Sequence, residues 1–287
     1  MKILVAKSAG YCFGVRDAVK VAYETSKNEG DVYMLGTIVH NERVVENLEK
    51  SGAKVVENLD QVPKDRPLLF RAHGTSPAII DEAKSKNMNI VDATCPLVIE
   101  IHEEIKKLEK EGRRTIIIGD HGHDEVVGIA AQVKKPIIIS SKKEALELGK
   151  MKKAGVVTQS TQMIENVQEI INVLMKKVYD LRFVNTICYP TRRNHEQIKD
   201  LAKRCDIMVV IGSFTSANSK RLTQIAQEIN HKSYQVTNAD ELKEEWFRDI
   251  ETIGVSAGAS TPDETIEEVV NQLKVYCKIL EREVAYE

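Results

Sequence analysis

The chain alternates between short apolar runs and amphipathic stretches, and the alternation occurs three times. The runs VYMLG, TIIIG and IMVVIG end in Gly36, Gly119 and Gly212, and brief, unbroken apolar segments closed by glycine predict strands buried on both faces. Each is preceded by apolar positions that share one helical face: Val15, Ala18, Val19, Ala22 and Tyr23; then Val98, Ile101, Ile105 and Leu108; then Ile198, Leu201, Ala202 and Cys205. A second helix follows each glycine (ERVVENLEKSG, EVVGIAAQV, SKRLTQIAQEI) and a short strand follows that (KVVE, PIIISS, KSYQVT). A last strand then runs into a Ser/Thr-rich turn: LLFRAHGTSP, GVVTQSTQ and IGVSAGASTP.

The three copies are in register. Gly36, Gly119 and Gly212 lie 24 residues after Cys12, Cys95 and Cys188, and His40, His123 and Ser216 lie 28 residues after the same cysteines. Alternating strands and helices imply parallel sheets covered by helices. The expected fold is therefore α/β, with three small parallel-sheet modules of about 90 residues each. The boundaries are 14–95, 96–187 and 188–281, the last module taking in 1–13, whose strand pairs with it. In open parallel sheets ligands bind beyond the carboxyl ends of the strands. All the marked residues lie there, and a pseudo-threefold arrangement would aim them at one central cavity.

Composition narrows the partners. Lys and Arg number 41 against 43 Asp and Glu, a net charge of −2, and no like-charge block stands out. That gives no electrostatic footprint for nucleic acid or an anionic membrane. No apolar run approaches the roughly 20 residues of a membrane span, and Met1 to Ala6 is too short for a signal-peptide core. The expected location is the cytoplasm. Five cysteines at 12, 95, 188, 205 and 277 fit neither a disulfide framework nor CxxC zinc pairs. Cys205 and Cys277 continue helical stripes and read as core, whereas Cys12, Cys95 and Cys188 sit in equivalent strand-to-helix turns. Three equivalent thiolates suit a soft metal centre, either zinc in a Cys3His set or an iron–sulfur cube with one iron open.

The densest chemical cluster is GDHGHDE, residues 119–125. A metal-hydrolase reading takes His121, His123 and Asp124 as ligands. Alternatively, an extended backbone points His123 and Glu125 the same way and makes Glu125 a candidate proton donor. The loops LGTIVHN, RAHGTSP, TQSTQ, GSFTSANS and SAGASTP supply hydroxyls, amides and imidazoles just before helices. Singly each is a helix cap; together they favour a phosphate or diphosphate. Neither a GxxxxGK[ST] nor a GxGxxG motif is present, so ordinary nucleotide sites are not supported. His102, His195 and His231 belong to no such loop and read as ordinary helix or surface residues.

GYCFGVRDAV, LGTIVHNERVV, RAHGTSP, DATCPLV, GDHGHDEVVG, TQST, NTIC, GSFTSANSKRL and GVSAGASTP, in this order from Cys12 to Pro262, resemble the 4-hydroxy-3-methylbut-2-enyl diphosphate reductase family of the non-mevalonate isoprenoid pathway. The resemblance implies a trefoil of three α/β modules around a central [4Fe-4S] cluster held by Cys12, Cys95 and Cys188. It implies reductive dehydroxylation of the allylic diphosphate to isopentenyl and dimethylallyl diphosphate. Glu125, with His123 and a hydroxyl of Ser160 or Thr161, would deliver the proton. His40, His73, Ser216, Ala217, Asn218 and Ser260 would hold the diphosphate, and a ferredoxin or flavodoxin would supply electrons. Two positions depart from the family pattern: Ala217 replaces a second serine, so only its backbone N–H can serve, and Ser160 replaces a frequent threonine. Two rival readings are a zinc-dependent phosphohydrolase and a non-catalytic iron–sulfur sensor, which gives Glu125 no role.

Overall fold

In the computed structural model, which describes residues 1–279 and 285–286, the run TIIIG forms β6 (Arg114–Ile118). Its isoleucines are buried on opposite faces. Ile117 packs with Ile101, Ile105 and Leu108 of α4 (Pro96–Lys110), while Ile116 and Ile118 pack with Val167, Ile170 and Leu174 of α7 (Ile164–Leu174). A strand covered by helices on both sides has no polar face, which is why the run reads as unbroken hydrophobicity. Pro96 opens α4, where its missing N–H costs nothing.

The same topology recurs. The sheet containing β6 has the order β7 (Ile137–Ile139), β6, β8 (Met151–Thr158), β9 (Val178–Phe183), all parallel. A second has β3 (Ala53–Val56), β2 (Val32–Leu35), β4 (Pro67–Phe70), β5 (Asn89–Asp92). The third has β11 (Ser233–Val236), β10 (Ile207–Ile211), β12 (Thr252–Ala257), β1 (Lys2–Val5), β13 (Ala285–Tyr286). In each, the fourth strand leads to a cysteine: β5 to Cys95, β9 to Cys188 and β1 to Cys12. The expected pairing of the opening strand is present, Lys2 to Val5 lying beside Thr252 to Val255; β13 is a fifth strand that the sequence pattern did not suggest.

The chain divides into two compact units. One comprises residues 1–15, 40–44 and Tyr189 onward, built on the sheet of β10 and β12; the other comprises 16–39 and 45–188 and holds the other two sheets. Cys205 and Cys277 are buried, as their stripes imply, and burial pushes the Cys277 thiol up. Among the described residues no helix is long and apolar enough to cross a membrane.

Candidate active site

The three cysteine turns are alike in detail. Cys12 immediately precedes α1 (Phe13–Glu29), Cys188 immediately precedes α8 (Tyr189–Arg204), and Cys95 is the N-terminal cap of α4. Each backbone N–H donates to a carbonyl in the loop that follows the third strand of its sheet: Cys12 to Ala259 at 3.2 Å, Cys95 to Ala72 at 3.0 Å and Cys188 to Ser160 at 2.9 Å. All three side chains are half-buried thiols. At a helix N-terminus the exposed N–H groups favour a thiolate over a thiol, and the thiolate is the metal ligand. The donor set therefore fits a soft metal group.

The loops that follow Ala72 and Ser160, and the GDHGHDE segment, meet in the larger unit. His123 caps α5 (Asp124–Ala130), its Nδ1 accepting the N–H of Glu125 at 3.2 Å. The backbone there turns into a helix, so the extended geometry anticipated for His123 and Glu125 is replaced by a cap. Glu125 is only 3% exposed. Both its oxygens are held by one residue: the Ser160 N–H donates to Oε1 at 2.6 Å and the Ser160 hydroxyl to Oε2 at 2.8 Å. Thr161 Oγ1 instead accepts from Gln159 Nε2 at 3.1 Å. The rings of His73 and His123 meet edge to face with centroids 5.8 Å apart.

Two further GDHGHDE side chains are paired with neighbours in the same unit. His121 Nε2 lies 2.7 Å from Glu144, and the Ser140 hydroxyl together with His121 holds the Glu144 carboxyl down at about 2. Asp124 accepts from Arg71 at 2.6 Å.

The other unit carries the second half of the expected residues. Ser216 caps α9 (Ala217–Ile229) by accepting the Ser219 N–H at 3.3 Å. Ala217 opens that helix, half-buried, and Asn218 follows at 5% exposure. Neither polar atom of the Asn218 amide finds a partner among the described residues. Such an orphan costs about 1–3 kcal/mol. Ser260 Oγ donates to the His40 carbonyl at 3.2 Å. His40 itself does not cap its helix; Asn41 does, accepting the Val44 N–H at 3.2 Å just before α2 (Glu42–Lys50).

One carboxylate in an equivalent position was not singled out. Glu42 lies 30 residues after Cys12, as Glu125 does after Cys95, so extending the offset arithmetic by two positions would have found it. It accepts from the hydroxyls of Ser213 at 2.8 Å and Thr215 at 2.9 Å. Burial pushes its carboxyl up, but its own backbone N–H, these two hydroxyls and His40 outweigh that and hold it below the ordinary range. His102, expected as an ordinary helix or surface residue, is buried on α4, and His195 is buried on α8. Of these three histidines, His231 is the exposed one.

A family model described as LytB protein matches residues 3–274. The chain belongs to the LytB protein family. Relatives of this LytB-family chain include the 4-hydroxy-3-methylbut-2-enyl diphosphate reductases of Geobacter sulfurreducens, 38% identical over 96% of this chain and 98% of that one, and of Geobacter metallireducens, 38% identical over 96% and 97%. A solved (E)-4-hydroxy-3-methyl-but-2-enyl diphosphate reductase is 35% identical with a TM-score of 0.70, covering 96% of this chain and 99% of that one. The solved diphosphate reductase of Plasmodium falciparum has a TM-score of 0.94 at 29% identity, covering all of this chain and 91% of that one. The expected fold and family resemblance therefore hold for this LytB protein.

Proposed function

We propose that this LytB-family chain reductively dehydroxylates (E)-4-hydroxy-3-methylbut-2-enyl diphosphate to isopentenyl and dimethylallyl diphosphate. The observation that carries the reading is the buried Glu125 carboxyl, both oxygens fixed by Ser160 and its backbone N–H capped by His123. A carboxyl fixed in this way suits a group that hands over a proton in one direction. Two electrons and two protons enter for each substrate; the allylic C–O bond breaks, its oxygen leaves as water, and the remaining proton ends on carbon.

Family membership supports a metal cofactor, and the thiols of Cys12, Cys95 and Cys188, each beside a helix N-terminus, suit a [4Fe-4S] cluster. When bound, that cluster supplies the electrons and a Lewis-acidic iron for the hydroxyl. Glu125 holds the transferable proton at its carboxyl, and Ser160 fixes the direction in which it is offered. His123 and Thr161 are the groups assigned to the reacting end. At the other end Asn218 gives its orphaned amide to the diphosphate, and the N–H groups of Ala217 and Asn218 at the start of α9 add uncharged donors aimed at an anion. Ser216, Ser260, His40 and His73 complete that set. A small ferredoxin or flavodoxin is the natural electron donor, because the chain carries no dinucleotide motif.

Anaerobic purification with iron and sulfide assay, followed by turnover with the allylic diphosphate and a chemical reductant, tests the proposal. About four iron and four sulfide per chain, with reductant-dependent formation of both five-carbon diphosphates, is the expected result. Stoichiometric zinc, a colourless protein and no turnover after cluster reconstitution would overturn it.

A further inference from the structure

His102 has no place in the chemistry above, yet its surroundings are unusual. It lies on the core-facing side of α4 at 7% exposure, and its Nε2 has no hydrogen-bond partner among the described residues. Leucine or isoleucine at this position would remove the penalty of a buried, unpaired nitrogen. Burial, with Lys106 on the same helix, pushes the imidazole down to about 4 against the weaker opposing pull of Glu103 and Asp92, so the ring is neutral at physiological pH.

One glycine makes room for that ring and a second borders it. A Cβ on Gly74 would fall 2.7 Å from His102 Cε1 and 3.2 Å from Nε2, and Gly74 has a φ of +84°, which disfavours any other residue. A Cβ on Gly128 would lie 3.6 Å from the same Nε2, 3.5 Å from the His73 carbonyl oxygen and 3.7 Å from the Gly74 carbonyl carbon. Gly74 directly follows His73, and Gly128 is one turn beyond Glu125 on α5. The imidazole therefore fills the seam where the His73 turn of one sheet meets the helix that carries Glu125 on the next. Across the same seam His73 and His123 meet edge to face.

We propose that His102 is a positioning residue whose imidazole, wedged between Gly74 and Gly128, sets the distance from the His73 turn to the helix carrying Glu125. A planar ring occupies a slot that the missing side chain of Gly74 has cut and that Gly128 borders, and its nitrogen edge faces the backbone of both elements. An aliphatic side chain of similar volume is neither flat nor polar at that edge, so the turn and the helix would settle at a different separation. Proton delivery tolerates little misplacement; a shift of about 1 Å can cost as much as a hundredfold in rate.

The kinetic consequence rests on the reductase reading, while the geometric one does not, and the test separates them. His102→Leu and His102→Gln are prepared anaerobically as the full-length, cluster-loaded protein beside the parent. Melting temperature, kcat, KM and hydrogen exchange over residues 71–77 and 120–130 are measured on each. The leucine variant is expected to melt at or above the parent, because an orphaned polar group has gone. Its kcat should fall by about tenfold or more, with faster exchange in both segments. Glutamine, which carries a nitrogen to a similar reach, should restore most of both. A residue needed only for packing would leave kcat and exchange unchanged in a leucine variant that folds. A folded leucine variant with kcat within twofold of the parent, or with exchange unmoved in both segments, overturns the proposal. If the parent itself shows no reductant-dependent turnover, the reductase reading fails, and the exchange of the two segments alone decides whether His102 positions them.

Discussion

Glu125 and Asn218 each lie 30 residues after a cysteine and two residues after the side chain that caps a helix, His123 in one repeat and Ser216 in the next. Both are buried. Yet the carboxyl of Glu125 has both oxygens occupied by Ser160, while the amide of Asn218 has neither polar atom partnered among the described residues. One position is satisfied by its own unit, the other is left in debt. Under the proposed function, the contrast separates two kinds of preparation: a group that must present a proton in one direction is tied down beforehand, and a group that must grip a ligand keeps its hydrogen-bonding capacity for it. The third equivalent, Glu42, is also partnered, but the Ser213 and Thr215 hydroxyls both donate to its Oε1.

The sharpest way to break this comparison is Glu125→Gln. The amide oxygen can still accept from Ser160, so the fold should survive. Loss of the transferable proton should lower kcat by about 10²–10⁴-fold; a folded variant retaining more than a tenth of the parental kcat in an anaerobic steady-state assay would end the proton-donor assignment. Asn218→Leu probes the opposite side. Steady-state kinetics should show KM rising by about tenfold, roughly one hydrogen bond's worth of binding. The melting temperature without substrate should hold or rise, because the orphaned amide has gone. A variant that instead melts well below the parent would mean the amide is structural, and the contrast with Glu125 would dissolve.

Smaller effects refine the picture. Ser160→Ala removes the hydroxyl donor to Oε2 and leaves the backbone donor to Oε1, so kcat should fall by several-fold while stability drops by about 1 kcal/mol, read from urea melts. Glu42 gives a test in pH. Its folded carboxyl is held below the ordinary value, so its contribution to stability is fully present above pH about 4.5 and is lost as pH falls through the folded value. Glu42→Gln should therefore be less stable than the parent at pH 7, and the gap should narrow at pH 4. A gap independent of pH would show that the hydroxyl bonds, and not the charge, are what matters there.

The fold was legible because the buried strands are so plain. Ile116 to Ile118 lie with no exposed surface, so nothing but hydrophobicity was selected there. The spacing of the cysteines was equally plain, since a repeat preserves offsets. The wedge at His102 was not: a histidine on an apolar helical face looks the same whether it fills a gap or faces water, and only the two glycines opposite, 28 and 26 residues away in sequence, reveal the slot. The cap at His123 was hidden for a related reason, because a loop of Gly, Asp and His has no period from which its turn can be read. Glu42 was visible in the arithmetic and went unread because a carboxylate opening a charged helix looks like ordinary surface.

The pairing of β1 with β12 has a consequence for how the protein is born. Lys2 lies opposite Thr252, so the first strand to leave the ribosome waits for a partner made roughly 250 residues later. At about 5–20 residues per second that delay is on the order of tens of seconds. During this interval the edges of Ile3 and Leu4, buried in the finished sheet, are unshielded, while the sheets of β2 to β5 and β6 to β9 already have all their strands. Nascent chains stalled before Thr252 should therefore protect Ile116 from exchange and leave Ile3 open. The unit that binds last to its own beginning is also the one that holds Cys12, so of the three thiols in the strand-to-helix turns the last to be fixed in place is the first one synthesised.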